Sequence, residues 1–173
     1  VDERSVGTPT SYTFKEVTGN HTIHADFAPN AYTVTFDGNG SGVVGSTASM
    51  SMTYDVAKSL SPNGFSRPGY TFQGWNTESD GSGSAYADGQ TVRNLTAAYG
   101  GTVTLYAQWK ENPAVDIIYQ MSDPEHASVA PGSESVAPAT GEAAGSTATL
   151  DAGYRVVSWT DASGNVVGSG NAF

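Results

Sequence analysis

No cysteine occurs in this 173-residue chain, which excludes disulfides, thiolate metal ligands and cysteine nucleophiles. Cations are scarce as well. Lys and Arg together number 7 against 17 Asp and Glu, a formal net charge of −10 with a pI near 4.4. These few cations are scattered, and phosphate-binding surfaces need them clustered, so nucleic acid and anionic membrane are poor partners. The acidity reads first as solubility. No run reaches the roughly 20 apolar residues of a membrane span, and no signal peptide is visible. Val1 is not an initiator Met, and the sequence stops at Asn171-Ala172-Phe173 inside a patterned stretch. A piece of a longer protein is therefore expected.

Aliphatic content is low, with 38% hydrophobic residues, and 21 glycines make turns frequent. The remaining source of apolar area is aromatic: nine Tyr, six Phe and three Trp, at patterned positions. Two stretches repeat. Gly69-Tyr70-Thr71-Phe72-Gln73-Gly74-Trp75 and Gly153-Tyr154-Arg155-Val156-Val157-Ser158-Trp159 both read Gly-Tyr-x-apolar-x-small-Trp, 84 positions apart (153 − 69). Such self-similarity means an array of like units, which act through reach and surface more often than through one reactive pocket.

Residues 31–111 read as one complete unit. Tyr32-Thr33-Val34-Thr35-Phe36 alternates as a half-buried strand does, and Asp37-Gly38-Asn39-Gly40 supplies turn chemistry. A second strand is expected over 48–54, a single short helical turn over 55–60, and a strand over 70–75. A strand has a two-residue side-chain period, which puts Trp75 on the opposite face from Tyr70 and Phe72. A bulge at Gly74 would turn the indole back inward. The unit closes on Thr102-Val103-Thr104-Leu105-Tyr106-Ala107-Gln108-Trp109, with Val103, Leu105, Ala107 and Trp109 on one face. Upstream, Thr22-Ile23-His24-Ala25-Asp26-Phe27 echoes this closing strand, Ile23 matching Leu105 and Phe27 matching Trp109. Residues 1–29 thus read as the C-terminal part of a preceding divergent repeat, and residues 114–173 as the N-terminal part of a following one. In the latter, Ser/Ala/Thr/Gly-rich residues 133–149 read as a long loop plus an edge strand.

Three ordered motifs in residues 31–111 carry a resemblance. These are Tyr32-Thr33-Val34-Thr35-Phe36-Asp37-Gly38-Asn39-Gly40, then Arg67-Pro68-Gly69-Tyr70-Thr71-Phe72-Gln73-Gly74-Trp75-Asn76, then Thr104-Leu105-Tyr106-Ala107-Gln108-Trp109. With these intervals the segment closely resembles the Listeria–Bacteroides repeat, the module related to the B-repeat of internalin B. Tyr12-x-Phe14-x-x-Val17-Thr18-x-Asn20-His21-Thr22-Ile23 and residues 153–161 resemble divergent members. The resemblance implies small, mainly β units (α+β with very little helix) of β-grasp-like, ubiquitin-like form, in tandem on bacterial surface or secreted proteins. It brings no catalytic residues with it.

Reactive chemistry finds little support in the residues themselves. His21 and His24 lie three apart on an expected strand, so they point to opposite faces and cannot share a metal. Asp80-Gly81-Ser82-Gly83-Ser84 lacks the carboxylates and the terminal Glu of an EF-type calcium loop. Asp151, Asp161 and Glu142 have neither the spacing nor the apolar context of an acid pair. No nucleophile elbow is present, and Gly38-x-Gly40-x-Gly42 opens no helix to receive a phosphate. None of Lys15, Lys58 and Lys110 sits in an apolar run suited to an isopeptide bond. The expectation is a non-enzymatic stalk, spacer or adhesion module without catalytic, cofactor or metal residues. It would be extracellular and attached to the cell wall or cell surface. The alternatives are a binding module for a host or cell-surface protein or glycan, and an accessory repeat of a larger extracellular enzyme. Candidate ligand contacts are Trp75, Tyr86 and Trp159, with core packing the favoured role for the tryptophans. The incomplete ends predict head-to-tail self-association, or a fold-back, in which residues 21–27 complete a sheet of residues 114–173.

Overall fold

The computed structural model describes residues 5–173. It is mainly β, with no helix among the described residues. The central segment contains β1 (Ala31–Asp37), β2 (Val44–Gly45), β3 (Met50–Thr53), β4 (Lys58–Ser59), β5 (Phe65–Ser66), β6 (Tyr70–Asn76), β7 (Ala85–Tyr86), β8 (Thr91–Val92) and β9 (Thr102–Glu111). Downstream lie β10 (Val115–Ile118), β11 (Ala127–Ala130), β12 (Ser133–Val136), β13 (Thr147–Leu150), β14 (Trp159–Thr160) and β15 (Val166–Gly168).

Five strands make the main sheet in the order β3-β1-β9-β6-β7. The closing strand β9 sits at its centre, parallel to β1 and antiparallel to β6. Its threonine–apolar alternation fits that place: Leu105 and Ala107 are fully buried, while Val103 and Trp109 pack against the same core half-buried. The short pairs β2–β5 and β4–β8 complete the unit. One apolar cluster gathers Tyr32 and Val34 of β1, Met50 and Met52 of β3, Leu60, Val92 and Trp75.

The β6–β9 ladder slips between Phe72 and Gly74, and Gly74 adopts φ +136°. A Cβ there would lie 2.7 Å from the Tyr86 carbonyl oxygen, so only glycine fits the bulge. The extra residue brings the indole of Trp75 to the core side, where it meets Phe36 and Phe72 at ring distances of 4.7 and 5.0 Å. Beyond β1, the Asp37 carboxylate accepts the Asn39 amide at 2.7 Å, and Asn39 takes φ +50°. This is the turn that Asp37-Gly38-Asn39-Gly40 predicts.

Four expectations require correction. Residues 55–60 form no helical turn. Asp55 is left-handed at φ +65°, held by Asn94 through bonds of 2.6 and 2.8 Å, and the chain then enters β4. Tyr70 lies outside the core cluster, half-buried beneath the Arg67 guanidinium at 3.8 Å. Residues 22–27 are not a strand, and residues 5–30 contain none. In the second Gly-Tyr stretch only Trp159 enters a strand. Residues 133–149 hold β12 and the start of β13 around a loop.

Candidate functional site

The three sequence candidates separate. Trp75 is 1% exposed and presents no face to a ligand. Its Nε1–H is buried without a hydrogen-bond partner, so the site holds this ring for its bulk rather than its donor. Tyr86 lies opposite Trp75 in the β6–β7 ladder, half-buried beside a surface depression of about 410 Å³. Trp159 belongs to the downstream segment. The structure brings Trp75 and Tyr86 together and leaves Trp159 apart, in a separate concavity.

That concavity is a groove of about 630 Å³. Ile118 and Tyr119 line one side, residues 154–162 line the other, and β11 and β13 contribute to its floor. Tyr119 is buried, and its hydroxyl donates to Glu134. Glu134 also accepts the amides of Ala144 at 2.8 Å and Gly145 at 3.0 Å. The Tyr119 bond first, then these amides, holds the Glu134 carboxyl below its ordinary range, and the same bond raises the Tyr119 hydroxyl. Across the groove, Trp159 donates Nε1–H to the Gly170 carbonyl at 3.0 Å and stacks on Phe173 at 5.8 Å. His126 faces the Asp123 carboxylate at 3.0 Å and stacks on Tyr154 at 4.3 Å. Ile118 and Val157 remain 66% and 76% exposed, an open apolar lining.

A second cluster joins the two segments. Glu111, at the end of β9, accepts the amides of Ala139 and Thr140 at 3.0 and 2.9 Å and the Thr140 hydroxyl at 3.0 and 2.9 Å. The Thr140 side chain, then these amides and the charge of Arg67, lower the Glu111 carboxyl below its usual range. Gly69 approaches Ala139 so closely that a Cβ would sit 2.7 Å from the alanine methyl.

Of the carboxylates weighed in sequence, Asp80 bonds Ser82 through its amide at 2.9 Å and its hydroxyl at 2.6 Å. Asp161 caps the β14–β15 turn through Ser163 and Asn165. No group of three or more potential metal ligands occurs among the described residues. Sequence reasoning passed over Glu111, Tyr119 and Tyr154. The repeat itself could have flagged the last, since Tyr154 occupies the place of Tyr70 in the second motif copy.

This geometry defines a β-rich repeat module. The model of the Listeria–Bacteroides repeat domain matches residues 32–108, and this segment is such a domain. Two relatives come from Evansella cellulosilytica. One, provisionally named a membrane protein, is 36% identical over 99 residues, which span 57% of this chain and 14% of the relative. The other, provisionally named a Gly-rich membrane protein, is 39% identical over 92 residues, 53% of this chain and 10% of the relative. The chain thus matches only a small part of each relative's length. No solved structure matches it.

Proposed function

We propose that the chain is a non-enzymatic tandem-repeat segment of a bacterial cell-surface or secreted protein, serving as a spacer or adhesion module outside the cell. The observation that carries this reading is a recurrence of strand pairings. In the central unit β1 pairs β3, β2 pairs β5 and β6 pairs β7, all antiparallel. Downstream, in the same chain order, β10 pairs β12, β11 pairs β13 and β14 pairs β15, again antiparallel. On this reading residues 114–173 are the head of a following repeat, and residues 1–29, by their sequence echo of the closing strand, the tail of a preceding one. The parallel β1–β9 pair between antiparallel neighbours supports a β-grasp-like unit. Units linked end to end and clamped at each junction add length in regular steps.

Inserting a second copy of residues 31–114 after residue 114 tests this. Small-angle scattering, extrapolated to infinite dilution, should show the maximum dimension growing by roughly 30 Å, about the length of a ten-residue strand such as β9. An unchanged dimension would mean that the units collapse on one another, against a spacer. The second reading is a binding module for a host or cell-surface protein or glycan, favoured by the open aromatic groove beside Trp159.

A further inference from the structure

Two folded segments meet at one carboxylate. No strand of β1–β9 pairs with a strand of β10–β15. Among the described residues, every hydrogen bond between residues 31–112 and residues 114–173 ends on Glu111. Its oxygens accept the Ala139 amide at 3.0 Å, the Thr140 amide at 2.9 Å and the Thr140 hydroxyl at 3.0 and 2.9 Å.

The donors come from a tight turn. Gly141 donates its amide to the Ala137 carbonyl at 3.0 Å and closes the chain around Pro138. The turn offers the Ala139 and Thr140 amides no acceptor of its own, and Glu111 supplies one to both. Bonds to an ionised acceptor are about twice as strong as neutral ones, so the charge of this carboxylate sets the strength of the contact.

On the other side the end of β9 is fixed to the central unit. Asn112 donates its amide to the Gly69 carbonyl at 2.8 Å, and its side chain accepts the Thr71 hydroxyl at 2.6 Å. Between Asn112 and β10 only Pro113 and Ala114 remain, both exposed. The proline ring fixes one of their backbone torsions, which leaves a very short pivot. The close approach of Gly69 to Ala139 adds an apolar contact without direction.

We propose that Pro113-Ala114 is a hinge and Glu111 its latch. The ionised carboxylate grips the 137–141 turn and fixes the orientation of the two segments; protonated, it releases the turn and lets them swing. This needs only two folded segments and the joint between them, so it does not rest on the repeat reading above.

The sign follows from the environment of Glu111. Its bonds to Thr140 and Ala139, with the charge of Arg67, favour the ionised form. The latch is therefore fully set above the ordinary value of 4.5 and is lost as pH falls through the lower folded value. Arg67 acts from the central unit, where its guanidinium lies over Tyr70 at 3.8 Å. Lys110, Asp116 of β10 and Glu142 beyond the turn are exposed and share none of the Glu111 bonds.

The lack of native cysteine makes a direct test possible. Val44→Cys and Ser128→Cys, at exposed positions in β2 and β11, put one spin label on each segment and nowhere else. Double electron–electron resonance on the whole chain at neutral pH should give one narrow distance between the labels. Adding Glu111→Ala or Glu111→Gln should replace it with a broad spread at the same pH, where Asp123, Glu134 and Asp161 stay charged. The doubly labelled chain with Glu111 intact should lose its narrow distance as pH falls below 4.5. Hydrogen exchange at residues 133–136 reads folding separately, and protection there should survive both substitutions at neutral pH. A narrow distance in either variant, a spread at neutral pH with Glu111 intact, or a distance that stays narrow in acid would each overturn the proposal. So would loss of protection at residues 133–136 in both variants, which would assign Glu111 to the fold of the segment rather than to its orientation.

Discussion

Trp75 is the largest side chain fully withdrawn from water, and its position depends on the glycine before it. Trp75→Ala should cost about 3–5 kcal/mol, the range for emptying a packed aromatic site. Phe72→Ala should cost less, because Phe72 is half-buried at the margin of the same cluster. Calorimetric melting of both variants checks the order, and equal losses would put the centre of the core elsewhere. Gly74→Ala should destabilise by about 1–3 kcal/mol through backbone strain, with the Tyr86 carbonyl adding a clash. A neutral Gly74→Ala would mean that the bulge is not fixed. This part was legible in sequence: strand parity set Trp75 against Phe72, and only a bulge at the intervening glycine reconciled the two.

At the scale of elements, legibility depended on whether a strand has a neighbour. The 31–37 and 102–111 alternations find one another and form. Residues 22–27 and 154–158 carry the same periodicity and stay irregular, because a strand gains hydrogen bonds and a buried face only when paired. A reading of local pattern could therefore name these segments as strands but not see that each lacks a neighbour to pair with. Residues 55–60 show the opposite case. A helix-compatible run gives way to the Asp55–Asn94 bonds and the ladder to residues 91–92, set by partners too distant in sequence for local pattern to reveal. The junction at Glu111 was equally hidden, since its partners lie 28 and 29 positions away.

The same elements predict how acid acts. Glu111, Asp123, Glu134 and Asp161 all have carboxyls lowered by bonds to Thr140, His126, Tyr119 and Asn165 respectively. A depressed carboxyl stabilises the fold above its unfolded value, 4.5 for the glutamates and 3.8 for the aspartates, and loses that effect as pH falls through its folded value. All four belong to the downstream segment or its junction, whereas the central unit has only Asp80, lowered by Ser82. Acid should therefore loosen residues 114–173 first. Glu111→Gln should flatten the junction's share of that response. Segment-resolved hydrogen exchange from pH 6 down to pH 3 reads both effects, and simultaneous loss in the two segments would contradict this assignment.

For the whole molecule, the account is one Listeria–Bacteroides repeat domain followed by a segment in which three of its antiparallel strand pairs recur in the same chain order. Such an array draws stability from pairing and packing, so EDTA should leave its melting temperature unchanged. A clear shift would reopen Asp80 and its loop as a calcium site. The most direct measurement offers residues 114–173 the strand that the head of a repeat would pair with: a copy of residues 87–111 joined after Phe173. The extended chain should protect the amides of residues 115–119 and 156–160 from exchange and move Trp159 fluorescence to shorter wavelength, with the central unit unaltered. If the added segment stays unprotected and Trp159 emission does not move, residues 114–173 are not the head of a repeat.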